Sequence, residues 1–166
     1  MSGYSSNSYL AEYGSEMAYN AGFIMAFFLD KGWTKNAICA MLGNMQREST
    51  INPGIWQNLD SGNTSLGFGL VQWTPATKLI DWCNSQGVPY DVLDFQCARI
   101  QWELENNVQW IATSEYPESF YEFSRSTKDI TYLTYAFLKN YERAGVEQVG
   151  ERINHANYWN SHLDES

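Results

Sequence analysis

The chain has 166 residues, enough for one domain with a core of its own, and 44% of them are apolar and 16% aromatic. Ten Lys and Arg against nineteen Asp and Glu leave a net charge of −9. That balance argues against a nucleic-acid partner, which needs clustered cations, and against electrostatic capture by an anionic wall or membrane.

Residues 1–14 (MSGYSSNSYLAEYG) lack the basic and apolar regions of a secretory signal. They are expected to form a flexible N-terminal leader, with 15–166 a single domain. The longest apolar run, AGFIMAFFL over 21–29, is far short of the roughly 20 residues that span a bilayer, so no membrane insertion is expected. Residues 16–31 read as a first helix with Ala21, Ile24, Phe27 and Phe28 on its core side and Gly32 as its stop.

A second helix opens with Thr34 as N-cap and runs towards Asn52-Pro53-Gly54, which should stop it near Ile51. At about 100° per residue, Ala37, Ile38, Met41 and Met45 form one stripe and Glu48 falls within about 20° of Met41. Lys35, Asn36, Gln46 and Arg47 point elsewhere on this wheel. A carboxylate on a core face is unusual. Partial burial and the negative end of the helix both disfavour its charged form, and a protonated Glu can give a proton to a leaving sugar oxygen. The alternative is a frayed last turn in which Glu48 pairs with Arg47, Arg143 or solvent.

Next comes a turn-rich stretch, Asp60-Ser61-Gly62-Asn63, and then Gly67-Phe68-Gly69-Leu70-Val71-Gln72-Trp73. Asx and Gly residues favour tight turns, and Leu70, Val71 and Trp73 favour extended backbone, so a small irregular β-hairpin is expected beside the helix end. Gln72 brings an amide that both donates and accepts, as sugar acetamido and hydroxyl groups require. Thr74-Pro75 reads as cap and first residue of a helix ended by Gly87. Residues 91–111 form the longest helical candidate, with Phe95, Ala98, Trp102, Glu105 and Val108 in one row; Glu105 is a weak candidate for a second acid. A short helix should open at Tyr116-Pro117 and end near Ser124, another should cover 129–144 with Tyr141 on its apolar stripe, and the last should cover 149–163.

Cys39, Cys83 and Cys97 cannot all pair and none lies in a CxxC pattern, so reduced structural thiols are expected. The two histidines, His155 and His162, do not have a common metal spacing. Neither a metal nor any other cofactor is expected.

Glu48-Ser49 followed by Gly69-Leu70-Val71-Gln72 resembles the Glu-Ser and Gly-Leu-x-Gln motifs of goose-type lysozymes and lytic transglycosylases. The longer pattern, AICAMLGNMQRESTINPG, WQNLD and GNTSLGFGLVQWTP, more closely resembles the phage tail lysozyme family. The resemblance continues through Asn140-Tyr141-Glu142-Arg143 and Tyr158-Trp159, covering roughly residues 17–163. It implies a mostly α (α+β), lysozyme-like fold, with helices around a cleft and one small β-hairpin. It also implies a virion-associated peptidoglycan hydrolase of a phage tail, acting on glycan strands of the host wall beside other tail proteins. Glu48 matches the catalytic glutamate of the family and Gln72 the hairpin glutamine. Tyr141 falls where the related superfamily places a cleft tyrosine.

A glycosidase that hydrolyses by inversion or retention needs a second carboxylate. Asp60 is the best local candidate, with turn capping as its equal alternative. A lytic transglycosylase needs only Glu48, because the substrate's own groups complete the reaction. For substrate contact the sequence offers Gln72, the backbone at Phe68 and Gly69, and the rings of Trp56, Trp73 and Tyr141. The reading from a different class is a carbohydrate-binding or structural tail module without catalysis.

Overall fold

The structure, a computed structural model, describes residues 3–165. Its helices are α1 (Ser15–Asp30), α2 (Lys35–Ser49), α3 (Thr77–Gln86), α4 (Leu93–Asn106), α5 (Phe120–Arg125), α6 (Ile130–Phe137) and α7 (Val149–His162). The chain divides into two compact units, one made of Met1–Phe23 and Glu48–Ile100, the other of Ile24–Arg47 and Gln101–Ser166.

The expected β-hairpin does not form, and no strand occurs among the described residues. What remains of it in the first unit is a single rung. Phe68 N–H donates to Trp73 O at 3.1 Å and Trp73 N–H returns a bond to Phe68 O at 3.0 Å, while Gln72 N–H closes the turn onto Gly69 O at 3.0 Å. Positive φ angles at Gly69 (85°) and Gln72 (56°) bend the backbone immediately inside the rung. On one side Gly67 exchanges bonds with Gln57; on the other Pro75 has no N–H to extend a ladder. The result is helical with one tight turn, not α+β.

Residues 4–10, placed above in the leader, make specific bonds in this unit. Tyr4 N–H donates to Asn20 Oδ1 at 2.8 Å, Ser6 N–H to Asn52 Oδ1 at 3.0 Å and Leu10 N–H to Thr50 Oγ1 at 2.9 Å. Asn52 Nδ2 answers with a bond to Ser8 O at 2.7 Å, and Trp56 N–H donates to Asn7 Oδ1 at 3.0 Å.

In the second unit, Thr34 caps α2 by accepting from Ala37 N–H at 3.2 Å. Residues 37–46 are buried without interruption, so α2 has no polar face along this length. Gln46, expected to point away from the apolar stripe, is 5% exposed and accepts from Trp159 Nε1 at 2.7 Å. Gly43 lies where α7 crosses: a Cβ there would stand 2.2 Å from the Arg152 carbonyl oxygen. Trp33, Trp110, Phe120, Phe123 and Phe137 pack as a ring cluster with neighbouring centroids 4.9–6.4 Å apart. Phe137 stacks on Tyr141 at 4.5 Å.

Four helix boundaries here differ from the expected ones, and α5 is one of them: it opens at Phe120 behind a Ser119 capping box with Glu122, not at Tyr116-Pro117. Thr74 does not cap α3, whose N-cap is Ala76; its hydroxyl donates instead to Gln72 O at 2.8 Å. The α4 helix stops at Asn106 because Asn107 turns left-handed, with φ of 55°. The 129–144 helix is α6 capped by Asp129, followed by a wide π-helical turn over Leu138–Glu142 that ends at left-handed Arg143.

Candidate active site

The first unit takes α1 as far as Phe23 and resumes with the last two residues of α2, Glu48 and Ser49. Glu48 is half-buried. The helix ends directly behind it because Thr50 and Ile51 both adopt left-handed conformations, with φ of 55° and 58°. Two successive β-branched residues there are strained, at about 1–3 kcal/mol each, and the surroundings hold them. Asn20 Nδ2 donates to Ile51 O at 2.9 Å, Leu10 N–H to Thr50 Oγ1, and Asn52 Oδ1 accepts from Gly54 N–H at 3.1 Å. The stop is this strapped turn, two residues ahead of the expected one.

Ser49 links the end of α2 to the turn that carries Gln72. Its hydroxyl donates to Leu70 O at 2.7 Å, and both residues are buried. Gln96, on α4 and fully buried, holds the same turn from its other edge. Its Oε1 accepts from Leu70 N–H at 2.9 Å, and its Nε2 donates to Pro53 O at 2.7 Å and Tyr90 O at 2.8 Å. A Cβ on Gly69 would stand 2.8–3.1 Å from this amide, at a φ that already favours glycine. Gln72 spends its amide nitrogen on Ile55 O at 3.2 Å and Gly69 O at 3.0 Å. The opposite amide orientation would set its oxygen against two carbonyls, so Oε1 is the end left for a ligand.

The other predicted site residues fall in different surroundings. Asp60 is exposed and accepts from Asn63 Nδ2 at 2.8 Å, within a turn closed by Asn63 N–H on Asp60 O at 3.1 Å. Phe68 and Trp73 are buried, and Trp56 is 8% exposed with its ring 4.4 Å from that of Phe68. Tyr141 belongs to the second unit, where it is buried and its hydroxyl donates to the buried carboxylate of Glu103 at 2.6 Å. Glu105, the weak second-acid candidate, is exposed and accepts from Gln101 Nε2 at 3.1 Å. Arg47 engages Glu151 at 3.1 Å and Gln148 at 3.2 Å.

A half-buried glutamate at a helix end, tied through the next residue's hydroxyl to a glycine-rich turn bearing a glutamine, is the arrangement that the sequence motifs imply. The sequence pattern described as phage tail lysozyme matches residues 19–163. The chain belongs to the phage tail lysozyme family. Morphogenesis protein 1 of Bacillus phage B103 is 55% identical over 156 residues, which are 94% of this chain and 42% of that protein. This phage tail lysozyme chain therefore spans less than half the length of that curated relative. A phage lysozyme-like role follows from the membership.

Ser49 and Gln96 are the residues of this candidate site whose structural roles sequence reasoning missed. Ser49 was visible only as half of a motif. Gln96 had a signal of the kind that singled out Glu48. The buried row of α4 is Leu93, Cys97, Ile100 and Leu104, and Gln96 lies on it, three residues after Leu93 and four before Ile100. Reading the row as Phe95, Ala98 and Trp102 hid it, and put Glu105 in place of the buried Glu103.

Proposed function

We propose that this domain is a peptidoglycan-degrading glycosidase, an N-acetylmuramidase that cuts the β-1,4 bond between N-acetylmuramic acid and N-acetylglucosamine. In this reading Glu48 is the general acid that protonates the leaving glycosidic oxygen. Gln72 and the backbone at Phe68 and Gly69 hold the sugar, with the edge of Trp56 beside them. The observation that carries the reading is the Ser49–Leu70 bond, which fixes the end of the Glu48 helix to the turn presenting Gln72. The name of the Bacillus phage relative, a morphogenesis protein, supports a place in the virion. There the domain would breach the host wall during entry, beside other phage proteins. Delivery by a virion also suits a net charge of −9, which gives no attraction to an anionic wall.

Asp60 is the carboxylate proposed as base or stabiliser if the reaction is hydrolysis. Its bond to Asn63 within a tight turn favours a second reading, a lytic transglycosylase that uses Glu48 alone. Digestion of purified peptidoglycan by wild type and Glu48→Gln, with mass analysis of released muropeptides, tests both. Gln preserves the shape but cannot supply the proton, so the rate should fall by about 10²-fold or more. Reducing ends identify hydrolysis and anhydro-muramic ends transglycosylation. Equal digestion by both proteins removes Glu48 from the mechanism. No digestion by wild type leaves the carbohydrate-binding module as the better account.

A further inference from the structure

The backbone behind Glu48 is held in a form that its own residues resist. Thr50 and Ile51 are both β-branched and both left-handed, with φ of 55° and 58°. Such a pair persists only where the surroundings over-determine it. Left to its right-handed preference, the chain would run on helically from Ser49 towards Asn52, at about 1.5 Å per residue along the axis of α2. Pro53 would then shift against Glu48, and Pro53 shares the Gln96 amide with the Gln72 turn. Gln96 Nε2 donates to Pro53 O at 2.7 Å, and its Oε1 accepts from Leu70 N–H at 2.9 Å. Together with the Ser49–Leu70 bond, the left-handed pair sets where the acid stands relative to that turn.

The strap of residues 4–10 supplies the over-determination. Asn20, fully buried, donates from Nδ2 to Ile51 O at 2.9 Å and to Tyr4 O at 2.9 Å, and its Oδ1 accepts from Tyr4 N–H at 2.8 Å. Asn52, also fully buried, accepts from Ser6 N–H at 3.0 Å and donates to Ser8 O at 2.7 Å. Thr50 Oγ1 accepts from Leu10 N–H at 2.9 Å and donates to Ser49 O at 2.6 Å. All of these residues lie in the first unit. Leu10 is the one buried side chain among residues 4–10, so the strap adds little apolar burial. Its polar bonds land on the three residues that follow Ser49. The approach is closest at Gly54, where a Cβ would stand 2.6 Å from Ser5 Oγ and 2.7 Å from Ser6 N.

We propose that the strap is a positioning element for Glu48, acting through Asn20, Asn52 and Thr50. It holds the left-handed pair, and through the pair it aligns the acid with the bond to be cut. When the strap is displaced the pair relaxes and the acid loses its alignment. Gln96 still holds the Gln72 turn, so the loss falls on the chemical step rather than on substrate binding. This role rests on the glycosidase reading above, because it needs Glu48 to be the proton donor.

The test is the kinetics of digestion of soluble peptidoglycan fragments by strap variants, with Glu48 present and in a Glu48→Gln background. Gly54→Ala pushes the strap away without removing any hydrogen-bonding group, at a position outside the left-handed region. With Glu48 present it should lower kcat about tenfold or more while KM stays within about twofold. In the Glu48→Gln background it should leave the residual rate unchanged, because no acid remains to be aligned. A merely structural strap would lower both backgrounds by the same factor. Thr50→Val keeps the β-branched shape, removes the acceptor for Leu10 N–H and should repeat this pattern, whereas Thr50→Ser restores the hydroxyl and should keep most of the rate. This second pair decides the matter if the circular dichroism spectrum shows Gly54→Ala to be unfolded. Unchanged kcat in the folded variants, or equal losses in the two backgrounds, overturns the positioning role and leaves the glycosidase standing. Equal digestion by wild type and Glu48→Gln, or none by wild type, overturns the glycosidase reading and this role with it.

Discussion

Replacing Gln96 by leucine probes the part of the site that no motif named. The amide makes three bonds, to Leu70 N–H at 2.9 Å, Pro53 O at 2.7 Å and Tyr90 O at 2.8 Å. Leucine fills much of the same volume and satisfies none of these groups. A buried polar group stripped of its partner costs about 1–3 kcal/mol. Leu70 and Pro53 are buried and Tyr90 is half-buried, so the Tyr90 carbonyl recovers part of its loss from water. Two full penalties and one partial penalty give about 3–5 kcal/mol. For a chain of this size each kcal/mol lowers the melting temperature by about 2–4 °C, so Gln96→Leu should melt about 10 °C below wild type. Differential scanning calorimetry or urea denaturation reads this directly, and wall digestion should fall with it because the Gln72 turn loses its anchor. A melting temperature within about 2 °C of wild type would refute the argument that this amide holds the turn in place.

Two glycines should respond to alanine in opposite directions. Gly43→Ala drives a Cβ to 2.2 Å from the Arg152 carbonyl, forcing α2 and α7 apart at a cost of about 1–3 kcal/mol or more, whereas Gly22→Ala, inside α1 with nothing within 4 Å, should stabilise by about 0.5–1 kcal/mol in the same urea assay. Burial pushes the Cys39 thiol up to about 12 and the Cys83 thiol up to about 11 from 9.0, and raises Cys97 as well. None of the three should be alkylated at pH 8 until denaturant is added, since the thiolate is the reactive form. The folded chain keeps these protons where the unfolded chain releases them, so their stabilisation is complete below about pH 9 and is lost as pH rises towards 11 and 12. Cys39→Ala should flatten that decline in a pH series of urea midpoints. Tyr141→Phe removes a 2.6 Å bond to the buried Glu103 carboxylate, and denaturation should report a loss of about 1.5–3 kcal/mol.

The α-helices among the described residues were legible because most carry their own period and punctuation: Gly87 ends α3 with φ of 70°, Thr34 caps α2, and Asp129 caps α6. These signals are local, acting within one or two turns of the chain. The hairpin was misread for a related reason. Leu70, Val71 and Trp73 favour extended backbone, but a strand exists only where a partner ladder is long enough, and Gly69, Gln72 and Pro75 leave room for one rung.

Glu48 was singled out by its place on an apolar stripe, yet residues 37–46 are buried on every face, so the wheel located the residue without explaining its surroundings. By itself the sequence determined the helical class, the family, the candidate acid and the glutamine. The helical class and the candidate acid follow from residue identity at short spacing, the family and the glutamine from a resemblance that runs along most of the chain. Only the tertiary structure decided that Ser49 and Gln96 hold the turn from two sides, that residues 4–10 strap the strained turn behind Glu48, and that Glu103 rather than Glu105 is the buried acid. Those outcomes depend on hydrogen bonds between residues tens of positions apart, and on which face of a helix meets its neighbours. A linear pattern does not encode either one locally.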